Sequence, residues 1–182
     1  MHFIKTEIEG VYIVEPRVFE DARGYFFESY SQAKFEAAGL HYNFIQDNQS
    51  KSSYGTVRGL HFQKGEHAQA KLVRVLEGAV LDVAVDLRKD SPTYGKHVAV
   101  ELSAENKRQL MIPRGFAHGF SVLSETAVFA YKCDNLYCKE AEGGLRFDDP
   151  QLGIDWKIEA GKELLSEKDR LLPSFAEFEP CF

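Results

Sequence analysis

The chain contains little cysteine, tryptophan or methionine: 3, 1 and 2 residues among 182. The cysteines are Cys133, Cys138 and Cys181, an odd number, and the spacing between the first two is not that of a standard zinc site. A disulfide framework and a cysteine-based zinc site are therefore disfavoured. The pattern favours free thiols in a reducing cytoplasm.

Long apolar runs are also missing. No stretch approaches the roughly 20 apolar residues that are needed to cross a bilayer. Residues 1–19, MHFIKTEIEGVYIVEPRVF, have neither a long apolar core nor a small-residue cleavage site. We therefore expect no membrane span, no signal peptide and a cytoplasmic location.

Basic residues are in the minority: 22 Lys and Arg stand against 28 Asp and Glu, for a net charge of −6. A protein that binds nucleic acid usually carries a basic face, so nucleic acid is not an expected partner. A small anionic ligand is not excluded, because a few local cations are enough to bind it. The chain also lacks a G-x-G-x-x-G strand–helix motif, so no dinucleotide cofactor is expected.

Strand signals, by contrast, are abundant. Aromatic and β-branched residues cluster in short runs that are separated by turn-forming residues. The runs are VYIVEPRVF (11–19), GYFFESY (24–30), KLVRVLEGAVLDVAVDL (71–87), HVAVEL (97–102), GFSVL (119–123) and TAVFAYKC (126–133). Residues 71–87 divide at a hairpin-like break, Glu77-Gly78, and the second half alternates as a half-buried strand does. The pattern predicts one domain over residues 1–182, a sandwich or barrel with short helices at 31–39 and 166–173.

The run VRGLHFQ (57–63) places an arginine and a histidine three residues apart around a glycine. Strand alternation assigns Gly59 and His61 to one face and Arg58 to the other. His61 is either a packed core histidine or a group with room for a ligand beside it. Gly59 permits a local twist or bulge, but alternation alone does not bring Arg58 and His61 to one ligand.

Two strand residues have a similar ambiguity. Lys71 shares a face with Val73 and Val75, and burial of an unpaired ammonium is costly. It therefore either reaches solvent at the strand end or is buried for a chemical reason. Tyr131 shares a face with Phe129 and is either a core tyrosine or one whose hydroxyl meets a ligand.

The stretch IPRGFAHGF (112–120) resembles the P-x-G-x-x-H half of the cupin pattern, in which the histidine, here His118, often binds a metal. The other half of that pattern requires H-x-H and a carboxylate, whereas His61 is followed by Phe62 and Gln63. The ligand set is incomplete. We expect a cupin-type barrel that uses no catalytic metal.

Two polar stretches remain. DARGYFFES (21–29) carries Arg23, and an arginine can bind phosphate oxygens in a bidentate manner. Edge strands also carry surface charges, which is the alternative. QDNQS (46–50) is either a polar loop or a set of amide hydrogen-bonding groups.

Together these stretches resemble the dTDP-4-dehydrorhamnose 3,5-epimerase family in order and spacing, over about residues 2–175. The matching stretches are DARGYFFES, QDNQS, VRGLHFQ, KLVRVLEGAVLDVAVDLR, PRGFAHGF, YKCDNLY and LSEKD. The resemblance implies an all-β, cupin-like jelly roll with a few short peripheral helices, and a homodimer whose subunits exchange strand contacts. It implies conversion of dTDP-4-dehydro-6-deoxy-D-glucose to dTDP-4-dehydro-L-rhamnose, without a cofactor, for the synthesis of dTDP-L-rhamnose.

The resemblance also implies roles for individual residues. His61 would be the base, Tyr131 the acid on the opposite side of the sugar, and Lys71 the cation beside the enolate oxygen. Asp169 would orient His61, although Ser166 and Asp169 are also spaced like a capping box. The implied substrate-binding positions are Arg23, Phe26, Glu28, Gln46, Asn48, Arg58, His118, Tyr137, Glu142 and Lys168. Phe26 and Tyr137 would stack on the thymine.

This set matches the chemistry of inverting two carbons beside a ketone, which requires a base, an oxyanion stabiliser and an acid on the other face. An epimerase of one carbon only, or a ketoisomerase, acting on a related dTDP-sugar stays open. A non-catalytic module that binds nucleotide sugars would need no base and acid. A metal-dependent cupin oxygenase would need the missing H-x-H.

Overall fold

The computed structural model describes residues 1–182, which form thirteen β-strands, two α-helices and three 3-10 turns. The strands are β1 (His2–Lys5), β2 (Tyr12–Glu15), β3 (Val18–Asp21), β4 (Gly24–Phe27), β5 (Gln46–Ser53), β6 (Val57–Gln63), β7 (Lys71–Glu77), β8 (Ala79–Asp86), β9 (His97–Ser103), β10 (Gln109–Ile112), β11 (Phe116–Val122), β12 (Thr126–Cys133) and β13 (Glu142–Gly144). The helices are α1 (Gln32–Ala37) and α2 (Glu167–Arg170), and the 3-10 turns are Gly65–His67, Lys139–Ala141 and Phe175–Glu177. None of the helices has the length and apolar content that a bilayer crossing demands.

The strands form two open sheets and a separate ribbon. The larger sheet has the order β1-β2-β10-β7-β12-β5, the smaller has the order β13-β6-β11-β8-β9, and β3 pairs only with β4. The main apolar core of 15 buried residues draws on both sheets, for example Val73 of β7 and Ala84 of β8. The sheets therefore pack face to face. The predicted all-β sandwich is confirmed, and its sheets are not closed into a barrel.

β7 and β8 do not form the hairpin that the break at Glu77-Gly78 suggested. β7 belongs to the larger sheet and β8 to the smaller one. The chain crosses between the sheets at Gly78, whose φ is +76°, and a β-carbon there would overlap the carbonyl oxygen of Thr126. The prediction located the break correctly and was wrong about the pairing, because each strand pairs with partners that are distant in sequence.

β8 is buried on both faces, whereas its alternation predicted a half-buried strand. Val80 and Ala84 face the core between the sheets, and Leu81 and Val83 face a second apolar cluster on the outside of the smaller sheet. Asp82 is in phase with Val80 and Ala84, so it points inward, and it is fully buried. Asp82, a polar residue of this alternating run, therefore lies inside the molecule instead of facing solvent.

A β-bulge in β6 changes the phase of that strand. His118 of β11 pairs with His61 and Phe120 pairs with Arg58, so two steps along β11 correspond to three along β6. Gly59 lies in this interval with a φ of +118°, and a β-carbon there would come within 2.7 Å of the His118 carbonyl oxygen. Because the extra residue reverses the alternation, Arg58 and His61 line the same cavity.

Both predicted helices are present. α1 begins after Ser31 and ends before Gly39. α2 begins after Ser166, whose hydroxyl accepts a hydrogen bond from the Asp169 amide at 3.1 Å. α2 is a single turn that packs beside β6, and this brings a carboxylate next to His61.

Candidate active site

A cavity of about 480 Å³ opens between the two sheets. The smaller sheet contributes Arg58 and His61 to one wall, and the larger sheet contributes Lys71 and Tyr131 to the other. The other lining residues are Gln49, Ser50, Thr56, Val57, His118, Phe120, Phe129, Leu164, Leu165, Ser166, Lys168 and Asp169. Asp169 is the only acidic side chain among them, so the charge of the cavity favours an anionic ligand.

His61 and Asp169 are 108 residues apart in sequence and in contact in the fold. His61 Nε2 lies 2.6 Å from Asp169 Oδ1, and their side chains are 32% and 5% exposed. Burial alone would raise the pKa of Asp169, but the hydrogen bond from His61 and other local contacts outweigh burial and leave this pKa lowered. An ionised Asp169 can therefore orient the imidazole and leave its other nitrogen to a ligand. The Asp169 amide also donates to the Ser166 hydroxyl, which is one half of the capping box, whereas the carboxylate is directed to His61.

Lys71 and Tyr131 lie together on the opposite wall. The Lys71 ammonium is 5.7 Å from the centroid of the Tyr131 ring. Burial lowers the pKa of Lys71, because the ammonium loses its hydration. Burial likewise raises the pKa of Tyr131, so the phenol keeps its proton at neutral pH. A protonated phenol and the amine of Lys71 thus lie on the wall opposite His61.

His118 has a carboxylate partner that the sequence analysis missed. His118 Nε2 lies 2.9 Å from Asp82 Oδ2, and both residues are buried. The second oxygen of Asp82, Oδ1, has no hydrogen-bond partner. Asp82 lies on the same strand face as Val80 and Ala84. This alternation could have identified it as the partner of His118 if both faces of β8 had been expected to be covered.

Arg58 occupies the cavity wall beside His61. Its Nε donates a hydrogen bond to the Ser52 hydroxyl at 3.1 Å, and no carboxylate lies within ion-pair distance of its guanidinium. An exposed, unpaired guanidinium at a cavity wall is suited to phosphate oxygens. Arg58 is therefore available to an anionic ligand in the cavity.

At the mouth of the cavity, Glu142 joins two other predicted positions. It lies 2.5 Å from Lys168 Nζ, and its second oxygen accepts a hydrogen bond from the Tyr137 hydroxyl at 2.9 Å. Burial alone would raise the pKa of Glu142, but these two bonds lower it below its usual value. Because Lys168 belongs to α2, this cluster ties β13 to the helix that carries Asp169.

Gln46 and Asn48 lie in strand β5, so the loop interpretation of QDNQS was wrong and the amide interpretation holds. Gln46 donates to Asn48 at 3.2 Å and accepts a hydrogen bond from the Tyr137 amide at 3.2 Å. Asn48 donates to the buried Cys133 thiol at 3.8 Å. The cavity itself is lined by two neighbours that the prediction did not include, Gln49 and Ser50.

Arg23, Phe26 and Glu28 lie outside the cavity of their own chain. Arg23 is paired with Asp21 at 2.6 Å, with its side chain 90% exposed. Phe26 is 69% exposed on the β3–β4 ribbon. Glu28 is paired with Lys34 at 2.7 Å. Within one chain, the fold does not bring these three residues to His61.

Comparison with known proteins identifies the family of the chain. The family model for dTDP-4-dehydrorhamnose 3,5-epimerase matches residues 5–177. The chain belongs to this family. A curated relative from Shigella flexneri, a dTDP-4-dehydrorhamnose 3,5-epimerase, is 56% identical over 170 residues, which cover 93% of each chain.

Solved structures confirm the cupin-like fold. The dTDP-4-dehydrorhamnose 3,5-epimerase of Elizabethkingia anophelis superposes with a TM-score of 0.94 at 62% identity, and the match covers 97% of both chains. The dTDP-6-deoxy-D-glucose-3,5-epimerase of Legionella pneumophila, in complex with dTDP-4-keto-L-rhamnose, superposes with a TM-score of 0.94 at 47% identity. That match covers 98% of this chain and 94% of the other. The family resemblance inferred from the ordered stretches is therefore confirmed.

Proposed function

We propose that the chain, as one domain over residues 1–182, converts dTDP-4-dehydro-6-deoxy-D-glucose to dTDP-4-dehydro-L-rhamnose in the synthesis of dTDP-L-rhamnose. Family membership supports this reaction. So does the Legionella pneumophila relative, whose complex contains dTDP-4-keto-L-rhamnose. The observation that carries the proposal is the opposition of the His61–Asp169 pair on one wall to Tyr131 and Lys71 on the other.

The reaction begins with proton removal beside the C4 ketone. Neutral His61 takes the proton from the ring carbon, and the electron pair of the broken C–H bond moves onto the C4 oxygen. Asp169 stabilises the imidazolium that forms. The Lys71 ammonium donates a hydrogen bond to the enolate oxygen, and loss of one such donor in other enzymes costs about 2.7–4 kcal/mol.

Inversion requires the new proton to arrive from the other face. Tyr131 is the donor in this proposal, because its raised pKa keeps the phenol protonated and it lies on the wall opposite His61. The phenolate is then reprotonated and the imidazolium deprotonated by solvent, which restores the starting state. The same cycle at the second carbon completes the double inversion. No step requires a cofactor or metal, and no group of three or more His, Cys, Asp or Glu side chains is placed to hold a metal ion.

The remaining positions bind the nucleotide. Arg58 and His118 would contact the diphosphate or the sugar, and Tyr137 would stack on the thymine. Gln46, Asn48, Glu142 and Lys168 would complete the surroundings of the nucleotide. The free guanidinium of Arg58 in the cavity supports this assignment.

The functional unit is a homodimer in this proposal. The β3–β4 ribbon of one chain would enter the cavity of a second copy and contribute Arg23, Phe26 and Glu28 to it. The ribbon exposes Phe19 by 51%, Tyr25 by 61% and Phe26 by 69%. So much exposed aromatic surface marks an interaction site, and it supports the exchange of strand contacts.

A cytoplasmic location completes the proposal. All three cysteines are free thiols, which suits a reducing compartment. Neither nucleic acid nor a membrane is required as a partner.

Incubation with dTDP-4-dehydro-6-deoxy-D-glucose in heavy water tests the reaction, followed by mass and configuration analysis of the product. Two solvent deuterons in an L-configured sugar would support the double epimerase. One deuteron would assign a single-carbon epimerase or a ketoisomerase instead. Without deuterium incorporation, the chain would be a binding module.

A further inference from the structure

Asp169 lies in a helix that is too short to be stable without contacts to the rest of the fold. α2 has four residues, and isolated helices shorter than about 12 residues are marginal in water. The distance of 2.6 Å between Asp169 and His61 therefore depends on what anchors the chain on each side of α2.

The segment before α2 is anchored to the start of β6. Leu164 donates its amide hydrogen to the Gly55 carbonyl at 2.9 Å, and its own carbonyl accepts from the Val57 amide at 3.0 Å. The segment after α2 is anchored by Pro173, whose carbonyl accepts from the Arg146 amide at 2.9 Å. The Phe175 amide then donates to the buried Asp149 carboxylate at 2.7 Å.

The last residues of the chain cover the back of β6. The rings of Phe178 and Phe182 meet the Phe62 ring with centroids 5.6 and 5.8 Å apart, in edge-to-face geometry. The Phe182 carbonyl accepts a hydrogen bond from the Lys89 amide at 3.3 Å. Phe62 directly follows His61 in the strand and is only 5% exposed, so the residue behind the base is packed by the chain terminus.

We propose that residues 174–182, here called the C-terminal strap, form a positioning element for the His61–Asp169 pair. The strap holds the end of α2 from one side and the back of β6 from the other, which keeps the two groups at hydrogen-bond distance. None of its side chains lines the cavity, so it acts through the pair and not on the substrate. The inference rests on the proposed roles of His61 and Asp169. The two terminal rings, Phe178 and Phe182, lie beyond the residues that the family model matches.

Phe178→Ala tests the strap. A displacement of about 1 Å in a catalytic group can cost up to about 100-fold in rate, so we expect kcat to fall about tenfold while KM changes little. Phe178→Leu, which restores apolar packing, should recover most of the activity. Ile154→Ala is the matched control, because Ile154 packs on the same outer cluster without belonging to the strap. It should leave kcat near the wild-type value at a similar loss of thermal stability.

A double-mutant cycle with Asp169→Asn distinguishes an effect on the His61–Asp169 pair from a general loss of packing in the protein. If the strap acts through Asp169, then Phe178→Ala should cost nothing further in kcat when Asp169 is already replaced. The far-downfield proton resonance of the His61–Asp169 hydrogen bond should weaken in Phe178→Ala and persist in Ile154→Ala. Phe182→Ala, which removes the outer ring only, is the second variant if Phe178→Ala does not fold.

Two results would overturn the inference. One is an equal fold-loss of kcat from Phe178→Ala in both backgrounds, and the other is a kcat unchanged by either ring substitution. Failure of the proposed function looks different. If His61→Ala were fully active, then His61 would not be the base, and if Asp169→Asn were fully active, then the base would not need Asp169; in either case the strap would have no catalytic pair to position.

Discussion

Both histidines that line the cavity have a carboxylate partner, and the chain builds the two pairs in different ways. His118 and Asp82 lie on the neighbouring strands β11 and β8, and both are buried. His61 lies on β6, directly opposite His118 in register, but its carboxylate comes from a single helical turn near the chain terminus. The first pair, here called the sheet-held pair, has both members in one sheet. The second, here called the loop-held pair, takes its carboxylate from a helical turn outside the sheets.

The two arrangements suit different functions, ligand binding and proton transfer. A pair enclosed by a sheet keeps a fixed geometry and can present one hydrogen bond to a bound ligand. A proton-transferring imidazole must instead reach the substrate, and about a third of the His61 side chain is exposed. We therefore expect the sheet-held pair to matter more for stability and binding, and the loop-held pair to matter more for turnover.

The largest expected effect separates the two histidines. His61→Ala should lower kcat by about 10²–10⁴-fold, the usual range for loss of a general base, with binding of dTDP retained. His118→Ala should raise KM more than it lowers kcat, since it removes a contact made in both ground and transition states. Steady-state kinetics and calorimetric titration with dTDP measure both. Full activity of His61→Ala would remove the residue from its role.

Mixing experiments test whether the site is shared between chains. Arg23→Ala and His61→Ala should each be nearly inactive alone, whereas a refolded mixture should regain activity, because one site of each heterodimer has both residues. The matched control is a mixture of His61→Ala and Tyr131→Phe, whose residues lie in one cavity. That mixture should stay inactive. No recovery in the first mixture would argue against strand exchange.

We expect a change in the sheet-held pair to reduce stability more than a change in the loop-held pair, which is the reverse of their effects on turnover. Asp82→Ala should lower the free energy of unfolding by about 1–3 kcal/mol, because it leaves a buried ring nitrogen of His118 without its hydrogen-bond partner. Asp169→Ala should cost about 1 kcal/mol, the typical value of one hydrogen bond, but reduce kcat more strongly. Urea unfolding with parallel assays provides the comparison. A greater loss of stability in Asp169→Ala would contradict the assignment of the sheet-held pair.

The last prediction concerns a carboxylate that has a cationic partner. Burial alone would raise the pKa of Asp86, on the same strand as Asp82, but hydrogen bonds from Arg88, Ser91 and Thr93 outweigh burial and lower it to about 2. Because the folded pKa lies below the unfolded value, the stabilisation is present above about pH 4 and lost as the pH falls toward 2. It amounts to about 2 kcal/mol.

Melting temperatures between pH 6 and 2 check this prediction. Asp86→Asn should flatten the acid limb of the curve, because its side chain does not titrate. Asp90→Asn is the control, because Asp90 is exposed and has no side-chain hydrogen bond or ion pair, and it should keep the wild-type profile. An unchanged acid limb in Asp86→Asn would show that other groups dominate acid unfolding.

Much of the fold followed from local pattern. Runs of aromatic and β-branched residues located most strands, and Ser31 and Ser166 marked the starts of both helices. The ordered stretches also identified the family. These features depend on a few consecutive residues, which is why the sequence alone was sufficient.

The rest depended on contacts between distant residues. The bulge that brings Arg58 and His61 to one face is visible only in the pairing of β6 with β11. Burial of Asp82 required both faces of β8 to be covered. The location of Arg23 outside its own cavity reflects the β3–β4 ribbon, which pairs with neither sheet.

The bulge in β6 also fixes a length. The residues proposed as the base and as the diphosphate-binding group, His61 and Arg58, are three residues apart on one strand, so their α-carbons are no more than roughly 10 Å apart. This fixed spacing of the two residues sets the distance between the bound phosphate linkage and the ring carbon that reacts. We therefore expect a sugar joined to its nucleoside through one phosphate or three to bind out of register, with its acidic C–H beyond the reach of the imidazole.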